Sequence, residues 1–281
     1  NIQGTSSDNT VMESTARGLP ILDGVYSFLA GVRCMHRYRD YLKLENNNPE
    51  PVATQAIPKG QQSIEQGQLI GEHEALEMLA DNGIATNQSY RVDNLKNAIQ
   101  SANKLGYPVV LKTAVSGISH KSEVHGVHLN LNSEDELKGA YEDLEKRLGP
   151  EVLISPMIDN EGVEMILGMT TDPQFGPMIA LGFGGVYAEV LKDVVTLMPP
   201  FSAQIAEQAL SELKMKSLLD GYRGKEAVNV GSFCEMASQF SLFAIAMQNQ
   251  ICEIDINPII LGKDICLGLD ALMVVNEENQ T

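Results

Sequence analysis

The stretch Tyr107–Val127, YPVVLKTAVSGISHKSEVHGV, is an apolar strand that ends on a lysine and opens into a small-residue loop carrying His120, Lys121 and Ser122. The β-branched run after Gly106-Tyr107-Pro108 reads as a strand from Val109 to Leu111. At its end, Lys112 either reaches into water or points at a nucleotide phosphate as a compact charge. The loop shifts the balance towards phosphate. Ser116, Gly117 and Ser119 permit a tight turn whose backbone N–H groups can form an anion-binding nest, and Lys121 and Ser122 add side-chain donors. The pattern is not the GxxxxGK[ST] phosphate loop. His120 can shape the loop through a hydrogen bond, act as acid or base, or carry a phosphoryl group.

Two further clusters lie downstream. In GFGGVYAEVLKDV, Gly182–Val194, glycines at 182, 184 and 185 follow an apolar strand and let the backbone approach a ligand closely, with Glu189, Lys192 and Asp193 just beyond. In EIDINP, Glu253–Pro258, strand alternation places Glu253, Asp255 and Asn257 on one face. Acidic neighbours about 7 Å apart on that face repel, and a divalent cation or a solvated acidic surface resolves the repulsion. A two-residue hairpin turn at Lys263-Asp264 sets Asn257 opposite Asp270, so two hard oxygen ligands of the kind Mg²⁺ takes meet across the ladder. Arg223, between glycines in GYRGK, is a phosphate clamp or an exposed turn arginine. His125 and His128 face opposite ways on their strand and are not read as a metal site.

The chain has 281 residues, 43% of them hydrophobic, which is enough for real cores in one large or two ordinary domains. With 20 Lys plus Arg against 37 Asp plus Glu, the net charge of -17 argues against nucleic acid or an anionic membrane as the main partner. Any anionic ligand needs local cations. Four scattered cysteines fit buried thiols in a reduced, cytoplasmic protein. No apolar run long enough to span a membrane is read in the sequence. The chain begins at Asn1, which suggests a processed or trimmed piece.

Residues 1–43 are expected to hold a polar start, a strand at Leu19–Leu22 and an amphipathic helix from Asp23 to Leu42, a unit that needs neighbours to cover its edge and apolar face. Residues 44–68, rich in Asn, Gln and Pro, read as a linker. A first lobe is expected over 69–150. It opens with a helix over Glu72–Asn82 ended by Gly83; Asp93 then caps a helix to Leu105, and a Ser133/Glu136 capping box starts another. A strand-rich second lobe follows over 151–281, closing with the strand pair Ile251–Asn257 and Ile265–Leu269. The fold class is α+β with α/β elements, two lobes around a cleft.

The three clusters, in this order, let the chain be placed. From about Gly71 to Ala271 it resembles the ATP-grasp part of NDP-forming acyl-CoA synthetases, the succinyl-CoA ligase-like superfamily, on EHEALEMLADNGI, YPVVLK, HKSEVHGV, TDPQFGPMIALGFGGVYAEVLKDV, GYRGK and EIDINP. The resemblance implies Mg-ATP between two lobes, Lys112 on the phosphates, an adenine pocket along Val152–Ile158 that includes Ile154 and Met157, and Glu164 on the nucleotide side. It makes Asn257 and Asp270 the magnesium ligands and His120 a second phosphoryl carrier. The implied reaction joins a small carboxylic acid to CoA at the expense of ATP, through an acyl phosphate and a phosphohistidine. It also implies CoA-binding and phosphohistidine ligase domains on a missing N-terminal part or a partner chain, with the unit 1–43 a remnant of a flavodoxin-like ligase domain, and an oligomeric assembly. The chain departs from the family at His125-Gly126, where two glycines are usual, and at Leu272, where a basic residue is usual. A nucleotide-sensing module without turnover and a carboxylate–amine ligase are the competing readings.

Overall fold

The computed structural model describes residues 9–18, 24–43, 63–64, 67–115, 118, 121, 124–158, 162–185, 193–221 and 226–276. The expected strand Leu19–Leu22 and most of the expected linker lie outside these residues, as do His120, Ser122, Glu189 and Arg223. The chain divides into two compact units, Asn1–Asn47 and Asn48–Thr281. In the first, the expected long helix is α2 (Gly24–Lys43), preceded by α1 (Asn9–Ala16) where an irregular polar start was expected. The α1 sequence NTVMESTA contains neither glycine nor proline, so nothing in it breaks a helix. Helix α2 leaves Tyr26, Phe28, Leu29, Met35 and Tyr38 exposed.

The second unit is α+β with two antiparallel sheets. The small sheet runs β3 (Tyr90–Val92), β6 (Val152–Pro156), β4 (Val109–Thr113), β5 (Val127–Leu131). It buries Val109, Leu111, Val152 and Ile154 with Ala98 and Ala102 of α4 (Leu95–Leu105) and Leu137, Tyr141 and Leu144 of α5 (Glu134–Arg147). Strand β6 was expected in the second lobe, yet its pairing along β4 from Val109↔Pro156 to Thr113↔Val152 makes it part of the first sheet. The cap of α4 is Asn94, whose side chain accepts from the Asn97 N–H at 2.9 Å, one residue beyond the expected Asp93. At α5 the Ser133 hydroxyl accepts from the Glu136 N–H at 3.3 Å, while the Glu136 carboxylate reaches back to the Asn132 N–H at 2.8 Å. The expected box is thus closed one residue early.

The large sheet runs β1 (Ser63–Ile64), β2 (Gly67–Ile70), β12 (Ala271–Val275), β10 (Ile251–Leu261), β7 (Val163–Asp172), β8 (Gly176–Phe183), β9 (Val194–Leu197), with β11 (Cys266–Gly268) hairpinned onto β10. Strands β1 and β2 occupy the end of the expected linker, because β2 pairs with β12 from Met273↔Ile70 to Val275↔Gln68. Strand β12 itself was not anticipated: Asp270 interrupts the apolar pattern just before it. Helix α7 (Val230–Met247) packs on this sheet and its Phe233, Phe240 and Phe243 share one core with Ile254, Ile256 and Leu181, while α6 (Ala203–Leu210) packs against α7. Contrary to the sequence expectation, α7 is long and apolar enough to cross a membrane, but its side chains are mostly buried in this core. Helix α3 (Glu72–Asp81) packs on β12, its end marked by Gly83 at φ 79°. Arg91 of β3 ties α3 to the small sheet by donating to Glu74 at 3.0 Å and to Glu151 at 2.6 Å.

Asp193, part of the expected functional loop, is 4% exposed, and its carboxylate accepts from the Lys214 and Met215 N–H groups at 3.0 and 2.8 Å. Its contacts join the start of β9 to the segment after α6. Replacing it by Ala strands two backbone donors, which costs about 1–3 kcal/mol each where they stay dry. Asp193→Ala is therefore expected to lower Tm by several degrees, measured by thermal denaturation, with Asp193→Asn recovering part of the loss.

Candidate functional site

Lys112 lies on β4 with both neighbours, Leu111 and Thr113, fully buried in the small lobe. Its ammonium crosses to the large sheet. Nζ donates to Glu72 Oε1 at 2.7 Å, to Asp270 Oδ2 at 2.9 Å and to the Leu269 carbonyl at 3.4 Å. Glu72, in the first turn of α3, is 5% exposed, and its other oxygen accepts from Lys121. A strand-end lysine reaching into water is excluded, since only 13% of the Lys112 side chain is accessible. The first and third sequence clusters thus meet at one ion-pair network.

The hairpin register read from the Lys263-Asp264 turn is the observed one. Leu261 pairs with Cys266, Ile259 with Gly268, and past the turn Ile256 with Ala271. The Asn257 N–H donates to the Asp270 carbonyl at 3.2 Å, so the two residues stand opposite each other. On its other edge β10 slips register against β7 between Ile256↔Leu167 and Ile259↔Met165, which takes Asn257 out of that ladder. The Gly184–Gly185 turn fills the place beside it. The Gly185 N–H donates to Asn257 Oδ1 at 3.5 Å, and the Gly184 N–H to the Glu164 carbonyl at 2.8 Å. A Cβ on Gly184 would stand 2.7 Å from the Met165 carbonyl and 3.2 Å from Asn257 Oδ1, and one on Gly185, at φ 58°, would strike the Glu164 carboxylate. The glycines therefore permit a close backbone approach at a defined place. Ile154, expected against adenine, is 0% exposed in the small-lobe core, whereas Met157 just beyond β6 is half-buried.

A family model described as an ATP-grasp domain matches residues 62–275. The chain belongs to the ATP-grasp domain family. It is 33% identical over 212 residues to the β subunit of an ADP-forming acetate–CoA ligase I of Pyrococcus furiosus, a match covering 73% of this chain and 90% of that one. It is 37% identical over 217 residues to a trans-feruloyl-CoA synthase from an unknown prokaryotic organism, covering 74% of this chain but 30% of the relative. A dinucleotide-forming acetyl-coenzyme A synthetase 1 of Ca. Korarchaeum cryptofilum, solved with coenzyme A and Mg-AMPPCP, superposes with a TM-score of 0.66 at 33% identity, covering 74% of this chain and 93% of that one. The chain spans about a third of the length of the first relatives it matches.

Within this ATP-grasp domain the electrostatics follow from burial. Burial works against the charge on Lys112, but Asp270 and Glu72 outweigh it and hold the ammonium above its ordinary value. Burial also opposes ionisation of Glu72, which Lys112 and Lys121 reverse, holding it below the usual carboxylate range. Asp270 shares its lysine with Glu72, so burial prevails there and raises it. Burial, with Glu253 and Asp270 nearby, pushes Asp255 up to about 6. Among the described residues no group of three or more His, Cys, Asp or Glu side chains is arranged to hold a metal ion. Mg²⁺ asks for less, one or two carboxylates completed by phosphate oxygens and water, and the oxygens of Asn257, Asp270 and Asp255 fit that demand.

The family departure at His125 is absorbed locally. His125 sits at φ 49°, a left-handed conformation that histidine enters more readily than most side chains. Its carbonyl and that of Val124 accept from Arg147 of α5 at 2.9 and 3.0 Å. Arg147 is fixed in turn by Asp143, at 2.6 and 3.0 Å, and Asp143 also meets His128 Nε2 at 3.2 Å. Gly126 must be glycine: a Cβ there would lie 2.7 Å from the Thr113 methyl and 3.0 Å from the Lys121 carbonyl. Its N–H donates to the Lys121 carbonyl at 2.7 Å, fixing the backbone that carries the second lysine.

Glu72 and Arg147 are the site residues that sequence reasoning missed. Glu72 opens the motif EHEALEMLADNGI, where an acid in the first turn reads as a partner of the helix dipole. Arg147 stands four residues after Asp143 and reads as an exposed helix pair.

Two outcomes follow from this geometry. Arg147→Ala is expected to raise hydrogen exchange at the Gly126 amide several-fold while exchange in the core of α7 stays unchanged. For Asp255, the folded value of about 6 lies above the ordinary 3.8, so the folded protein binds the extra proton between these limits. Stability in metal-free buffer should therefore fall as pH rises from about 4 to about 6, by up to about 3 kcal/mol. Asp255→Asn should flatten that fall in chemical denaturation at a series of pH values.

Proposed function

We propose that this chain is the Mg-ATP-binding, phosphoryl-transferring part of an ADP-forming acyl-CoA synthetase. The observation that carries the reading is the Lys112–Asp270 contact, which brings a lysine of the small sheet to the proposed metal ligand of the large one. Lys112 and Lys121 neutralise phosphate oxygens, while Asn257 and Asp270, with Asp255 behind them, hold Mg²⁺. Bound Mg²⁺ offsets the charge that develops on the transferring phosphoryl group. Gly184 and Gly185 allow backbone N–H groups next to Asn257 to approach the phosphates, and Glu164 flanks that turn. Met157 lines the adenine side.

His120, Ser122, Glu189 and Arg223 enter from the sequence: His120 as phosphoryl carrier, Ser122 as a phosphate donor group, Glu189 and Arg223 as catalytic groups at the phosphates. The full reaction converts a small carboxylic acid, CoA and ATP to acyl-CoA, ADP and phosphate through an acyl phosphate and a phosphohistidine. Its CoA-binding and ligase domains lie on a partner chain or further domains, and the protein works as a cytoplasmic oligomer. The β-subunit relative supports this division, since it matches over 90% of its own length. The His125 departure gives no support to a non-catalytic sensor, because the backbone conformation at 125 accommodates the side chain.

Transfer of labelled γ-phosphate from ATP tests the reading, with the partner domains supplied. The protein should acquire acid-labile, base-stable label that His120→Asn removes, and Lys112→Met should weaken Mg-ATP binding at least about tenfold, as expected for loss of a charged hydrogen bond. Tight ATP binding without any label transfer would sink the catalytic reading and leave the sensor.

A further inference from the structure

Glu72 places one carboxylate across two lysines, Oε1 on Lys112 at 2.7 Å and Oε2 on Lys121. That is the arrangement in which a phosphate presents two oxygens to two cations. The lysines come from the small sheet and the loop after it, whereas Glu72 comes from a helix packed on the large sheet. Arg91 anchors that helix through Glu74 at 3.0 Å, so the Glu72 side chain can swing while α3 stays in place. Lys112 carries a second carboxylate, Asp270 at 2.9 Å, and Asp270 is also the proposed metal ligand. Two ammonium groups and two carboxylates balance, which leaves this set no net positive charge for an incoming anion.

Resting on the Mg-ATP reading above, we infer that Glu72 competes with nucleotide phosphate for Lys112 and Lys121 and thereby makes nucleotide binding depend on magnesium. A metal-free triphosphate has to displace Glu72 while Lys112 remains engaged with Asp270 and while Asp255 and Glu253 repel it. When Asp270 turns to Mg²⁺ instead, Lys112 loses one of its two carboxylates and becomes available to phosphate. Metal and phosphate are therefore coupled through one lysine, and Glu72 sets how strongly. This coupling is reciprocal, so nucleotide raises the affinity for Mg²⁺ by the same factor.

The test is calorimetric titration of the 281-residue chain with AMPPCP, with and without magnesium, for wild type, Glu72→Gln and Glu72→Asp. Glu72→Gln keeps the shape and removes the charge; it should tighten metal-free AMPPCP binding at least about tenfold and shrink the magnesium effect by a similar factor. Glu72→Asp keeps the charge but is too short to span both lysines, and should show the same change to a smaller extent. It also carries the test if thermal denaturation shows that Glu72→Gln does not fold. Unchanged or weaker metal-free binding in the folded variants would overturn the inference and make Glu72 a residue that only orients the lysines. Wild-type protein that fails to bind AMPPCP even with magnesium would overturn the nucleotide reading, and the inference with it.

Discussion

A lysine taken out of water must bring its counter-charges with it, and Lys112 draws them from opposite ends of the domain. Glu72 lies 40 residues before it and Asp270 158 residues after it. One ammonium group therefore joins an inner strand of the small sheet, the opening helix and the closing hairpin of the large one. Removing one member of a buried pair such as Lys112–Glu72 typically costs about 3–5 kcal/mol, whereas replacing such a pair by apolar groups is often neutral or stabilising. Stability alone is a poor reason to keep two lysines and two carboxylates at the meeting point of two sheets. A ligand that exchanges places with some of these charges is a better one.

Strand and hairpin logic set Asn257 opposite Asp270, the pair proposed to hold metal, because the controlling interactions are local. The two-residue turn at Lys263-Asp264 fixes which residues face each other, and every pair from Leu261↔Cys266 to Glu253↔Val274 keeps that register. Alternation along β10 buries Ile254 and Ile256 and leaves Asp255 and Asn257 on the other face. What local logic could not supply was β12, which follows the acid that breaks its apolar run, and β2, hidden in a polar segment until a partner strand is known. Both are strands by virtue of their neighbours.

The same division explains the site. Lys112 stood out because a cation after VVL is unusual, but Glu72 and Arg147 were camouflaged by ordinary helical roles. An acid in a first turn and an arginine four residues after an aspartate each have a sufficient local explanation. Only tertiary packing shows that Glu72 turns inward to two lysines and that Arg147 spends two of its donors on the carbonyls of Val124 and His125. Ile154 errs in the opposite sense. The family resemblance implied adenine contact along Val152–Ile158, yet alternation along β6 turns Ile154 into the core with Val152.

Charge is divided between the sheets as the chemistry requires. The large sheet concentrates acid at Glu253, Asp255 and Asp270, the small sheet and its loop supply Lys112 and Lys121, and Glu72 stands between them. In a chain of net charge -17 the general field repels a polyanion, and at physiological ionic strength that field is screened beyond about 8 Å. Binding of the proposed polyanion is therefore decided by the charges gathered around Lys112. There burial, and after it the nearby Glu253 and Asp270, disfavours charge on the acidic wall and pushes Asp255 up to about 6. A divalent cation relieves the acidic wall and at the same time frees the basic one, so a metal-bound phosphate is the ligand that both walls favour together.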